Sequence, residues 1–97
     1  MTVPDNVSIA NNVSIKVGRV VYIAVKLKIV GALSSETILN FLSDTANSSA
    51  TFLIGKGTEW NISSVIYGYI GTNSIVISGK NTVSTGDYLH VNTVLIL

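Results

Sequence analysis

Side chains able to do covalent or acid–base chemistry are scarce in this sequence. There is one histidine, His90, no cysteine, and five carboxylates at Asp5, Glu36, Asp44, Glu59 and Asp87. A hydrolytic triad needs a histidine held between a nucleophile and an orienting carboxylate, and Asp87, three residues before His90, falls on the opposite face of a strand. Without cysteine there is no thiolate nucleophile, no disulfide and no thiolate zinc site, so a metal would rest on one imidazole and scattered acids. Gly55-Lys56-Gly57-Thr58 has the closing letters of a phosphate loop without the G-x-x-x-x-G-K-[ST] spacing, and reads instead as a turn after Phe52-Leu53-Ile54. The expectation is a protein that is not an enzyme and uses neither cofactor nor metal.

Recognition chemistry is better supplied. Trp60, Tyr67 and Tyr69 fall within ten residues, and the two tyrosines, two apart, share one face of a strand. Aromatic faces stack on the C–H face of sugar rings, while Glu59, Asn61 and Asn73, close in sequence, can hydrogen-bond hydroxyls. This grouping is a candidate carbohydrate platform. The competing reading makes Trp60 a lid on the core and the tyrosines ordinary cross-strand partners. Tyr88, His90 and Asn92 form a second polar-aromatic face on the last strand. That face either completes a site with the first group, within the chain or across a subunit boundary, or is plain solvated strand surface.

The elements that must carry these residues are strands. Of 97 residues 47% are hydrophobic and only 11% charged; 13 Val and 12 Ile stand beside 12 Ser, 9 Thr and 9 Asn, a strand-and-turn vocabulary. A net charge of +1 with no basic run gives no footprint for nucleic acid, and the longest apolar run, Val20 to Val25, is far short of the roughly 18 residues that span a bilayer. The first six residues have neither the basic start nor the apolar stretch of a signal peptide, which points to release by lysis or excision from a longer chain.

Period-2 alternation runs through Val13, Ile15 and Val17, and again through Val21, Ile23, Val25, Leu27 and Ile29. Gly18-Arg19 between them predicts a hairpin turn, yet a two-residue turn places the odd-numbered residues of its two arms on opposite faces. A break or bulge near Gly18 is the expected resolution. Residues 35–42 fit either a short helix capped by serine or an irregular strand. Asp44 to Thr51 reads as a polar loop, Ile62 to Ile70 and Ile75 to Ile77 as a hairpin, and Tyr88 to Leu97 as a strand apolar on both faces, hence expected to be covered on both, by a second sheet or by another chain. The sum is an all-β antiparallel sandwich or jelly-roll-like barrel of six to seven short strands over residues 13–97, with residues 1–12 as linker or arm.

Three segments bear a resemblance to a known family. They are Ile15-Lys16-Val17-Gly18-Arg19-Val20-Val21-Tyr22-Ile23, Tyr69-Ile70-Gly71-Thr72-Asn73-Ser74-Ile75-Val76-Ile77, and Thr85-Gly86-Asp87-Tyr88-Leu89-His90-Val91-Asn92. In order and spacing they resemble the opening, the penultimate hairpin and the closing G-D-[WY] strand of receptor-binding heads of bacteriophage tail fibres and baseplates, of the type that attacks Gram-positive hosts. The chain departs from that pattern at Phe41-Leu42-Ser43, where such heads carry a Leu-Pro turn. The resemblance implies a homotrimeric head in the virion, at the tail tip or baseplate, joined to other tail proteins and recognising host cell-surface saccharide. A structural decoration domain that binds no sugar is the alternative.

Overall fold

A computed structural model describes residues 1–41 and 49–97. Among these, eight strands form one antiparallel sheet: β1 (Val7–Asn12), β2 (Ile15–Val17), β3 (Val20–Ile29), β4 (Thr37–Asn40), β5 (Ala50–Gly57), β6 (Ile62–Ile70), β7 (Ser74–Ile77) and β8 (Tyr88–Ile96). Seven follow the order β1-β3-β8-β5-β6-β7-β4, and β2 pairs with β3 beyond the end of β1. The Thr2–Asn40 bridge, with N–H···O bonds of 2.9 and 2.8 Å, ties the chain start to β4 and nearly closes the sheet into a barrel. The fold is therefore the all-β antiparallel barrel that the alternation predicts.

β3 organises the interior. Val21, Ile23, Val25, Leu27 and Ile29 all point inward and are buried, joined by Leu89, Val91 and Leu95 from β8, Ile54 from β5, Ile70 from β6, and Ile75 and Ile77 from β7. Aliphatic burial of this kind contributes roughly 25 cal/mol per Å² removed from water and is what holds a disulfide-free chain of this size together. Lys56 closes one end, its Nζ donating to the Thr82 carbonyl at 2.7 Å, and Glu36 accepts the Gly79 N–H at 2.8 Å.

Several sequence expectations need correction. Of the two readings of the segment that begins at Ser35, the irregular strand forms, over Thr37–Asn40, and there the short helix does not. Ile38 and Leu39 are both buried in β4, where the pairing with β7 shifts register between Thr37 and Leu39. That irregularity turns two consecutive residues inward, and so imitates the i, i+1, i+3 spacing of a helix face. Leu42, and Asp44 to Ser48 of the expected polar loop, lie outside the described residues.

Gly18-Arg19 is a true two-residue turn, with Val17 opposite Val20. Gly18 has φ 60° while Arg19 has negative φ, the sign pattern of a type II′ hairpin turn. No break near Gly18 restores the parity. The bulge lies instead between Ile9 and Asn11 of β1, so Val7 faces the core whereas Val13, Ile15 and Val17 face solvent. Residues 7–12 are thus a paired strand.

Gly55-Lys56-Gly57 is also strand, and the chain turns only at Thr58. A Cβ on Gly57 would run into the carbonyl oxygen of Asn61, and its position lies 2.9 Å from the Ser63 nitrogen, which leaves only glycine room there.

Register makes a direct test. Ile54 is fully buried while its neighbour Leu53 points out, 55% exposed. Urea denaturation is expected to show a loss of about 2–5 kcal/mol for Ile54→Ala. For Leu53→Ala the change is expected to stay within about 0.5 kcal/mol. Comparable losses at both positions would contradict the β5 register.

Candidate functional site

Outward-facing residues of the barrel are ordered by the strand pairings. Asn11 lies opposite Lys26, Lys26 opposite His90, and His90 opposite Gly55, so one row crosses β1, β3, β8 and β5. The next row places Ala24 opposite Asn92, with the Val13 N–H donating to the Ala24 carbonyl at 3.0 Å. Between these rows lies a shallow recess of about 140 Å³ lined by Asn11, Val13, Ala24, Val25, Lys26, His90 and Asn92. Such a volume is below the roughly 300–1,000 Å³ of sites for drug-sized ligands, and suits one ring or one side chain.

Trp60 overhangs this row. The β5–β6 turn is closed by its own bonds: the Thr58 N–H donates to the Asn61 carbonyl at 2.8 Å, and the Asn61 N–H donates to Thr58 Oγ1 at 3.2 Å. Glu59 and Trp60 are left as the two central residues. His90 Nε2 sits 2.9 Å from the Thr58 carbonyl and ties the turn to β8, which places the proton on Nε2 when this bond is made. The Trp60 ring then lies over Lys26, with Nζ 3.9 Å from the ring centroid. Cation–π contact of this kind is worth about 0.5–1 kcal/mol at an exposed site. Trp60 remains 81% exposed, so the indole face away from Lys26 is open to a ligand.

The arrangement is suited to holding a hydroxylated ring. An open aromatic face stands beside amide groups of Asn11 and Asn92, which both donate and accept, and beside the ammonium of Lys26, which only donates. Among the described residues no carboxylate lines the recess, so hydroxyls and negatively charged groups are both accommodated. Among the described residues, too, no group of three or more His, Cys, Asp or Glu side chains is placed to hold a metal ion.

The sequence-predicted residues divide between two places. Trp60, Glu59 and Asn61 sit in the β5–β6 turn, and His90 and Asn92 line the recess, so the two aromatic-polar groups meet within one chain. Tyr88 is one row away, opposite Lys28, whose Nζ lies 5.7 Å from its ring. Tyr67 and Tyr69 do share a face, as expected from their spacing, and it is the outer one, with Tyr67 opposite Leu53 and Tyr69 opposite Thr51. Trp60 stands before the start of β6 and Asn73 beyond its end; the nine residues between span about 30 Å, so Trp60 and Asn73 share no site. Trp60 caps no core.

Asn11 and Lys26 went unremarked in the sequence. Asn11 lies in the segment that reads as an arm, and Lys26 is an ordinary polar position in an alternating strand until its cross-strand neighbours are known. Compared with known protein families, curated proteins and solved structures, the chain matches none.

Trp60 is the only tryptophan, so fluorescence excited at the red edge, where the four tyrosines do not absorb, reports the turn alone. Lys26→Met and His90→Ala each remove one of its tethers, and steady-state anisotropy of Trp60 is expected to fall in both. The His90 variant should lose about 0.5–1.5 kcal/mol of stability, the net worth of one hydrogen bond. Unchanged anisotropy in both variants would mean that the turn is held by its own bonds only.

Proposed function

We propose that this chain is a non-enzymatic recognition module for cell-surface carbohydrate, acting as the receptor-binding head of a bacteriophage tail fibre or baseplate protein. The observation that carries the reading is Trp60, 81% exposed yet tethered through Thr58 to His90 and stacked on Lys26 beside a small amide-lined recess. Large aromatic side chains are rarely left this open without a partner, and a turn already fixed before binding loses little entropy when a ring stacks on it. The sugar's C–H face rests on the free face of the indole, and its hydroxyls or an acidic substituent reach Asn11, Asn92 and Lys26. A site this shallow binds weakly by itself. Presented in several copies on a fibre or baseplate, it gains about 10²–10⁴ in avidity without any new contact.

A second reading has its own observation. Outside the recess the exposed faces carry Ile15, Val17, Tyr22, Leu53, Val65, Tyr67, Val94 and Ile96, which favours a structural domain of the virion whose faces serve assembly.

Binding to purified cell-wall polysaccharide of a Gram-positive host separates the two. Trp60→Ala is expected to weaken binding at least roughly tenfold, the size of effect that truncating an aromatic anchor produces. Tyr67→Ala, on the outer face of β6 and outside the recess lining, is expected to bind as wild type does. If folded Trp60→Ala binds like wild type, or wild type does not bind, the assembly reading stands in place of the glycan reading.

A further inference from the structure

The outer face continues past the recess along the strands. Two residues from Lys26 on β3 stands Lys28, and two residues from His90 on β8 stands Tyr88; pairing sets Lys28 opposite Ser8 of β1 on one side and Tyr88 on the other. Lysine beside an aromatic ring therefore occurs twice on one face, Lys26 with Trp60 and Lys28 with Tyr88. On β5 the positions opposite His90 and Tyr88 are Gly55 and Gly57, which put no side chain beyond the sheet. Ile62 leans over Gly55, where an added Cβ would run into its Cδ1. A track thus runs along β3 and β8, with Ser8 and Asn11 on its β1 margin and the β5–β6 turn on the other.

Charge sets this track apart from the rest of the surface. Arg19, Lys56 and Lys80 donate to the backbone carbonyls of Leu97, Thr82 and Ser34, whereas among the described residues Lys26 and Lys28 meet only rings. Glu36 and Asp87 accept the backbone N–H groups of Gly79 and Ser84, and Glu59 lies outside the recess lining. No carboxylate occupies either row of the track. A ring face is a weak partner for an ammonium group, and an anion that also accepts its N–H donors is a stronger one.

We propose that the track binds an acidic polysaccharide, with Lys26 and Lys28 each meeting one negative charge of the same chain. The inference rests on the carbohydrate reading above and narrows it from glycan in general to charged glycan. Spacing supports a polymer. Residues two apart in a strand lie about 7 Å from each other, so the two ammonium groups suit carboxylates or phosphates on neighbouring units of one chain. From Lys28 to Ala24 the track is about 13 Å long, more than a single ring needs. A neutral sugar would cover both ammonium groups without offering either a counter-charge. The open indole face of Trp60 and the amides of Asn11 and Asn92 then hold the uncharged parts of the unit seated in the recess.

Purified cell-wall polysaccharide of a Gram-positive host is the probe, used intact, with its carboxylates reduced to alcohols, and with its phosphates removed by cold hydrofluoric acid. The wild-type chain is expected to bind at least one neutralised form roughly tenfold more weakly, the scale of two exposed ion pairs, and the form that loses affinity identifies the acid. Raising salt from about 50 to 200 mM is expected to weaken binding of the intact polymer severalfold, because neutralising a charged chain releases its counterions. Lys28→Gln is expected to cost roughly twofold to fivefold, and Lys28→Glu about tenfold. Arg19→Gln, which removes the same charge at the tip of the β2–β3 hairpin, is expected to bind as wild type does. Circular dichroism establishes that each variant is folded. Equal affinity of wild type for the intact and both neutralised forms overturns the proposal and leaves the carbohydrate reading standing with a neutral ligand. Binding to none of the three overturns both together. Tighter binding to oligo(dT) than to the intact polymer also overturns the proposal, and assigns the track to single-stranded nucleic acid.

Discussion

The β3–β8 ladder is the constraint on which the rest of the molecule depends. Nine consecutive pairs, from Val20 opposite Ile96 to Lys28 opposite Tyr88, lock the two strands in one register. Every second pair fills the core: Val21 with Leu95, Val25 with Val91, Leu27 with Leu89. The pairs between them make the outer surface, Lys26 with His90 at the recess and Tyr22 with Val94 on the apolar face. Side-chain direction alternates along a strand, so slipping β3 by one residue would send Lys26 and Lys28 into the core and five aliphatic side chains into water, and slipping β8 would send His90 inward and Leu89, Val91 and Leu95 outward. Core burial thereby enforces the placement of the outer groups, although none of them contributes much to stability.

The scarcity of charge acts differently in different parts of the chain. Inside, it lets the barrel close without a buried ion pair, and no buried polar or charged side chain occurs among the described residues. Outside, it leaves hydroxyl, amide and apolar groups where a solitary protein usually displays lysine and glutamate. Of the few charges present, Glu36, Lys56 and Arg19 are spent on backbone atoms at loops and ends, and Lys26 lies under Trp60. The outer faces are consequently poor at repelling other surfaces and good at packing on them. This physical property is common to the β5–β6 turn that exposes Trp60 and to the apolar outer face of β2, β3 and β8.

Much of the barrel was legible from residue types because burial enforces period two. Val21 to Ile29, Ile75 to Ile77 and Leu89 to Leu95 all read correctly as inward-facing strand positions. The alternation of Val13, Ile15 and Val17 was equally clear and led to the wrong face, since period two says that residues share a face without saying which. The two-residue turn at Gly18-Arg19 settled that choice by pairing Val17 with Val20, and the bulge between Ile9 and Asn11, which no residue there announces, then brings Val7 back to the core. Ile38 and Leu39 left two readings open, because an irregular strand that buries consecutive side chains has the spacing of a helix. At the candidate site, the importance of Trp60 and His90 followed from their rarity, while Asn11 and Lys26 became visible only as cross-strand neighbours.

By itself the sequence determined the class of fold, the absence of any thiol and the shared face of Tyr67 and Tyr69. These depend on residue type and on spacings of a few positions, which chain geometry converts directly into direction. Tertiary structure alone decided that Trp60 joins His90 while Asn73 lies at the far end of β6, and that Ile15, Tyr22 and Val94 form one surface. Each is a contact between residues tens of positions apart, set by strand register. Register is chosen by the packing of the whole core and by bulges that local sequence does not mark.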